Sequence, residues 1–299
     1  MRIAAIDLGT NTFHLLIAEK SSANSVRFLC RKTCVVKLGR EGFDKGLISD
    51  AAFERGITAM KAFRPLLKKF APKKIIALAT SAIRNCKNGS SFIRQAEKII
   101  GAKIEIITGE REAELIYHGV KNAYPLSNTP VLIMDIGGGS VEFTIANKFR
   151  IFWKQSIEAG AARLANKFSP SNPINKSELS AINDYLKQAF SPVLQAVKKY
   201  QPEILIGSSG SFDSFALMIG GKNKNTAVEI SIKKYATLHE KLVRSTKKER
   251  LTMKGLQRMR VDMIVTASVC TAFIINKTKV RKIYRSAYAL KEGIIFSEY

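Results

Sequence analysis

The stretch Ala4–Ala18, AAIDLGTNTFHLLIA, ends an apolar run on Asp7 and crowds Gly9, Thr10, Asn11 and Thr12 behind it before a second apolar run begins. This spacing predicts a strand, a tight turn and a second strand, because Gly and Asn tolerate positive φ and the flanks are rich in Ile, Leu and Phe. Small turn residues leave backbone amides uncovered. Several amides aimed into one concavity form an anion nest, and Thr hydroxyls add donors. His14, inside the hairpin, reads as a core or rim histidine.

The same design returns at Val131–Ala146, VLIMDIGGGSVEFTIA, where Asp7 aligns with Asp135, Gly9 with Gly137, Asn11 with Gly139, Thr12 with Ser140 and Ala18 with Ala146, at a constant offset of 128 residues. One such turn is only a connection between strands. A gap-free duplication predicts two related half-molecules whose turns grip one phosphate chain from both sides.

At 299 residues and 46% hydrophobic content, the chain can build two ordinary globular domains. The longest weakly charged run, Met263–Ile275, is too short to span a bilayer and carries Thr and Ser, so it reads as a buried helix rather than a membrane segment. No signal-peptide pattern opens the chain, which makes the cytoplasm the default expectation. Cys30, Cys34, Cys86 and Cys270 are scattered without a CxxC pair and read as free thiols, not a zinc site. The charge is +25, from 49 Lys and Arg against 24 Asp and Glu, which implies a polyanionic partner or a solubility device. The basic residues lie in dispersed pairs such as Lys68-Lys69 and Lys247-Lys248. Without a helix-turn-helix, RNP or zinc-finger pattern, nucleic-acid binding is a minority reading.

Beyond the first hairpin, the pattern predicts a strand at Val26–Val36, a loop with Gly39, Gly42 and Gly46, and a helix starting at Ser49-Asp50, with Phe53, Ile57, Met60, Phe63 and Leu67 at helical spacing. Strand Ile75–Ala79, helix Ser91–Ile100, strand Ile104–Ile107 and helix Glu112–Lys121 follow, an α/β order that implies a largely parallel sheet. Asn122–Pro130 reads as a linker, dividing the chain into domains 1–124 and 125–299. The second domain is expected to hold a strand at Ile151–Ile157, one long helix from about Lys176 to Tyr200, strand Glu203–Ile206, the turn GSSGS and a short strand near Val280–Tyr284. The closing SAYALKEGIIFSEY reads as a helix able to pack back on the first domain.

Together, IDLGTNTFHLLIA, LATSAIRN, IEIITGEREAELIYHGV, MDIGGGSVEF, EAGAARL, IGSSGSFDSFA and ALKEGI resemble, in order, the motifs of the exopolyphosphatase and guanosine pentaphosphate phosphatase (Ppx/GppA) family. The resemblance implies an α/β fold of two ribonuclease-H-like domains of the actin-like ATPase superfold, with the active site in the interdomain cleft. It also implies a short, two-domain form, since the helical His-Asp domains of longer members would begin near where this chain ends.

By this resemblance Gly9, Asn11, Thr12, Gly137, Gly138, Gly139 and Ser140 hold phosphates, and Arg84 contacts them. A guanidinium fork suits paired phosphoryl oxygens; a surface ion pair is the lesser alternative for Arg84. Ser209 and Gly210 of the GSSGS turn resemble the superfold's third phosphate loop, at a helix N-terminus. Mg²⁺ or another divalent cation is implied, with Asp135 as a ligand and Glu142 as a second. Glu142 could equally be a solvated strand residue.

The catalytic carboxylate maps to Glu112. Helical spacing alone leaves Glu110, Glu112 and Glu114 open as favourable first-turn acids; only the motif register selects Glu112. Arg111 and Glu114 stand where members commonly carry Glu and Arg, a swap that keeps net charge and puts substrate choice in question.

The expected reaction is Mg²⁺-dependent release of terminal phosphate from inorganic polyphosphate. A guanosine pentaphosphate 5′-phosphatase would use the same residues. An actin-like ATP-binding protein without polyphosphate hydrolysis, or a sugar or acetate kinase, would share the Asp turns but not the Glu112 and Arg84 motifs. Pairing of two copies as a homodimer could lengthen the grip on long chains; no membrane partner is expected.

Overall fold

A computed structural model describes residues 1–22, 25–39 and 46–297. Gly42 and the last two residues of the closing segment lie outside the described residues. The chain divides into two units, one formed by Met1–Gly119 together with the segment from Leu290 onward, the other by Val120–Ala289.

The first unit opens with β1 (Arg2–Leu8), β2 (Thr12–Ser22) and β3 (Ser25–Val35), then α1 (Asp50–Phe70), β4 (Lys74–Ala79), α2 (Ser81–Asn85), α3 (Gly89–Ile100), β5 (Ile104–Ile106) and α4 (Gly109–Ala123). Its five-stranded sheet has the order β3-β2-β1-β4-β5. The expectation of a largely parallel sheet needs correcting, since β1–β2 and β2–β3 pair antiparallel while β1–β4 and β4–β5 pair parallel. Strands separated by a few residues cannot return parallel, whereas β4 and β5 each follow a helical crossover. Ser49 caps α1 by accepting from Ala52 N at 3.3 Å. Phe13, Met60, Phe63 and Phe92 fill the core between α1, α3 and the sheet.

In the second unit β6 (Val131–Ile136), β7 (Val141–Ala146) and β8 (Ile151–Ile157) repeat the meander. They lead to α5 (Ala161–Phe168), α6 (Lys176–Ala189), α7 (Ser191–Tyr200), β9 (Ile204–Ser208) and α8 (Ser209–Gly220). After these come β10 (Ala227–Ile230), α9 (Ile232–Val243), α10 (Lys247–Thr252), α11 (Ile264–Lys277) and β11 (Lys282–Ser286). The sheet order β10-β11-β9-β6-β7-β8 is that of the first unit with one added edge strand, β10. Strand β10 is short and was not anticipated.

The single helix expected from Lys176 to Tyr200 is two helices. Pro192 enters the first turn of α7, and the missing N–H together with the restriction on the residue before it breaks the path. Helix α11 carries the Met263–Ile275 run and is buried on all sides over most of its length, as its lack of amphipathic patterning predicts. No described helix is long and apolar enough to cross a membrane.

The last helix, α12 (Leu290–Phe296), belongs to the first unit. A Cβ on Gly293 would lie 1.8 Å from the Leu115 carbonyl oxygen, so glycine there lets α12 approach α4. Phe296 meets Phe28 edge-on, and Arg31 reaches the fully buried Glu292 carboxylate at 2.6 Å.

Candidate active site

The two duplicated turns are built alike. Gly9 N donates to Thr12 O at 3.2 Å, and Gly137 N donates to Ser140 O at 3.0 Å. The chain after the third strand of each meander then takes the turn carbonyls. Val36 N and Lys37 N donate to Asn11 O and Leu38 N to Thr10 O, while Gly160 N, Ala161 N and Ala162 N donate to the carbonyls of Gly139, Gly137 and Gly138. In both turns the carbonyls are thus bound from within, and the amides of Gly9 and Gly137 close the turn itself. The same bonds satisfy the first amides of α5, which a helix cannot pair internally. Gly160 is essential to the fit: a Cβ there would lie 2.5 Å from the backbone of Gly138 and Gly139.

In the first unit, Arg84 at the end of α2 and Glu112 in the first turn of α4 come together, Nη1 to Oε2 at 3.5 Å. Arg84 Nη1 also donates to Ile107 O at 2.9 Å, which fixes the guanidinium beside the carboxylate. Glu112 is 8% exposed. Arg111 and Glu114 pair with each other at 2.9 Å, so the swap of charges relative to the motif is locally compensated on α4. His14 is half-buried rather than core, with Nε2 2.9 Å from the Thr12 hydroxyl and Nδ1 2.9 Å from the Thr33 hydroxyl.

In the second unit, Asp135 and Glu142 face each other across β6 and β7 in direct register and are 4% and 2% exposed. Ser208 Oγ and Ser209 Oγ donate to Asp135 Oδ2 at 2.7 and 2.6 Å, and Ser156 Oγ donates to Glu142 Oε1 at 2.8 Å. The GSSGS segment is not a free loop: Ser208 ends β9 and Ser209 begins α8 with φ 65°.

Three residues without an assigned role in the sequence reading stand here. Gly160 and Arg163 come from EAGAARL, and Arg163 Nε donates to Gly139 O at 2.8 Å. The third is Arg260, whose guanidinium packs so closely on Gly210 that a Cβ there would sit 1.7 Å from Nη2. Burial lowers its pKa, against the opposing pull of Asp213 and Asp135. The GSSGS and EAGAARL segments carry the glycines; nothing in the local sequence of RMRVD ties Arg260 to Gly210.

Two sheets of the same strand order, each with an Asp near the end of its first strand and a glycine turn behind it, define a duplicated α/β fold of the actin-like type. The chain belongs to the Ppx/GppA phosphatase family, whose profile matches residues 16–299. It is similar to the crystal structure of an exopolyphosphatase from Cytophaga hutchinsonii, with 37% identity and a TM-score of 0.96 over 99% of this chain and 97% of that one. A curated Haemophilus influenzae protein carrying a provisional exopolyphosphatase name is 29% identical over 99% of this chain and 90% of its own. The Aquifex aeolicus PPX-GPPA enzyme shares the fold, at 22% identity and a TM-score of 0.83 over 100% and 99% of the two chains.

Proposed function

We propose that the protein is an exopolyphosphatase that hydrolyses the terminal phosphoanhydride of inorganic polyphosphate and releases orthophosphate. The observation that carries this reading is the Arg84–Glu112 pair, a buried carboxylate with a fixed guanidinium beside it. The 37% identity to a solved exopolyphosphatase supports it.

Hydrolysis needs an oriented water, held phosphates and compensation of charge. Glu112 accepts a hydrogen bond from the attacking water and takes its proton as the new P–O bond forms. The bridging P–O bond breaks, and its electron pair leaves on the terminal oxygen of the shortened chain. Arg84 places a positive charge beside the Glu112 carboxylate and offers further N–H groups to phosphoryl oxygens. The turns at Gly9, Asn11 and Thr12 and at Gly137–Ser140 supply amides and hydroxyls, and Gly210 lets Arg260 stand against the start of α8.

The residues present fit a divalent cation. Asp135 and Glu142 are buried carboxylates in adjacent register, an arrangement a cation relieves, and Mg²⁺ takes one or two carboxylates with waters and phosphate oxygens. Bound there, Mg²⁺ would offset phosphate charge and polarise the scissile group.

The test is phosphate release with Mg²⁺ from short-chain and long-chain polyphosphate, guanosine pentaphosphate and ATP, by wild type and Glu112→Gln. Release from polyphosphate is expected to fall by about 10²- to 10⁴-fold in the variant while polyphosphate still binds. Preference of the wild type for guanosine pentaphosphate, or undiminished release by Glu112→Gln, would overturn the reading.

A further inference from the structure

The duplication reaches further than the turns. Asp7 pairs with His14 in the register of β1 and β2, and Asp135 pairs with Glu142 in that of β6 and β7. One strand further, His14 pairs with Thr33 and Glu142 with Ser156. Each second-strand residue is held by the hydroxyl opposite it, His14 Nδ1 with Thr33 Oγ1 at 2.9 Å and Glu142 Oε1 with Ser156 Oγ at 2.8 Å. The scaffold around the position is therefore the same, and only the group it presents differs: a second carboxylate beside Asp135 in one unit, an imidazole beside Asp7 in the other.

The imidazole has a further neighbour in the turn itself, since its Nε2 stands 2.9 Å from Thr12 Oγ1. A neutral imidazole has one N–H donor and one bare nitrogen, and a hydroxyl has one proton to give. If Nε2 were the bare nitrogen, Thr12 would spend its proton on His14 and turn only lone pairs toward an anion. If Nε2 carries the proton, Thr12 accepts from His14 and keeps its own proton for a phosphoryl oxygen. The Thr33 hydroxyl can donate to Nδ1, which completes the hydrogen bonds of this second tautomer.

We infer that His14 is a positioning residue of the phosphate turn: protonated on Nε2 and held through Nδ1 by Thr33, it commits the Thr12 hydroxyl to donating to the substrate's phosphoryl oxygen. The equivalent places in the two units then divide the work, Glu142 adding charge for a cation and His14 aiming a donor at the anion. The inference deepens the exopolyphosphatase reading and rests on it for the identity of the substrate.

Two measurements test it. In ¹⁵N-labelled wild-type protein, the ring shifts of His14 are expected to show the neutral Nε2–H tautomer, both alone and with tripolyphosphate; an Nδ1–H tautomer would overturn the inference without any variant. In a double-mutant cycle, His14→Leu is expected to weaken tripolyphosphate binding by calorimetry, and to lower kcat/KM on polyphosphate, by roughly tenfold. In a Thr12→Val background the same change should cost less than about twofold, because its effect passes through the hydroxyl already removed. His14→Gln, whose amide can replace the Nε2–H donor, should recover binding to within about threefold of wild type. Equal losses in both backgrounds, or no loss with Thr12 present, would sink it. Because binding and tautomer are read without turnover, a wild type that bound tripolyphosphate but released no phosphate would count against the exopolyphosphatase reading and leave His14 judged on its own.

Discussion

At Ser209 the backbone takes φ 65°, in the left-handed region that a side chain with Cβ occupies at a cost of about 1–3 kcal/mol. That conformation brings Oγ to Asp135 at 2.6 Å. The hydrogen bond to a charged acceptor offsets the strain, contributing about 1.5–3 kcal/mol. Ser209→Ala removes the bond and keeps the strain; Ser209→Gly removes both. The alanine variant is therefore expected to melt below the glycine variant by an amount equivalent to about 1 kcal/mol, while both lose phosphate release relative to wild type. A glycine variant that melted lower would show that position 209 is not strained. Ser209 is legible in the sequence as part of a serine-rich turn at a helix start, but the sign of its φ is not, because serine gives no local signal for it.

The elements were legible where their periodicity was strong and their ends carried caps, as in α1 with Ser49 and the apolar stripe from Phe53 to Leu67. They were misread where one residue interrupts a continuing pattern, as Pro192 does between α6 and α7. Packing between elements creates a further property. His239 of α9 lies with Nδ1 2.8 Å from Ser268 Oγ of α11, and burial pulls its pKa below the ordinary value, with Glu240 opposing. The folded state thus binds fewer protons at this site than the unfolded chain. Its contribution to stability is complete above the unfolded pKa of about 6.5 and is lost as pH falls through that value toward the folded one. Chemical denaturation at pH 7.5 and 5.5 is expected to show a smaller loss of stability in His239→Gln than in wild type. Identical pH slopes in the two proteins would show that His239 does not contribute.

Across the whole molecule, the charge of +25 acts on a polyanionic substrate before any particular residue does. Salt screens such attraction, with a Debye length of about 10 Å at 0.1 M. The KM for long-chain polyphosphate is expected to rise about tenfold between 0.05 and 0.3 M salt, with kcat changing by less than about twofold. Steady-state kinetics at fixed Mg²⁺ would check this, and a flat KM would mean that the basic residues serve solubility alone. The first unit depends on the chain's last helix as well. Glu292 is fully buried and meets the neighbouring Lys291 and, from the other end of the sequence, Arg31.

The amino-acid sequence by itself determined the two meanders, their glycine turns and the α/β order, because each rests on local rules: small residues between two apolar runs, period-two strands and capped, periodic helices. It also singled out Glu112 and Arg84, through motif register rather than physics. What only the tertiary structure decided are the relations between distant segments. These are Arg84 beside Glu112, the Ser208 and Ser209 hydroxyls on Asp135, Arg260 against Gly210, Gly160 beneath the Gly137–Gly139 turn, and His14 between Thr12 and Thr33. The reason is that strand register and crossover packing bring these groups within hydrogen-bond or van der Waals distance, and no local pattern in the chain encodes which distant side chain will arrive there.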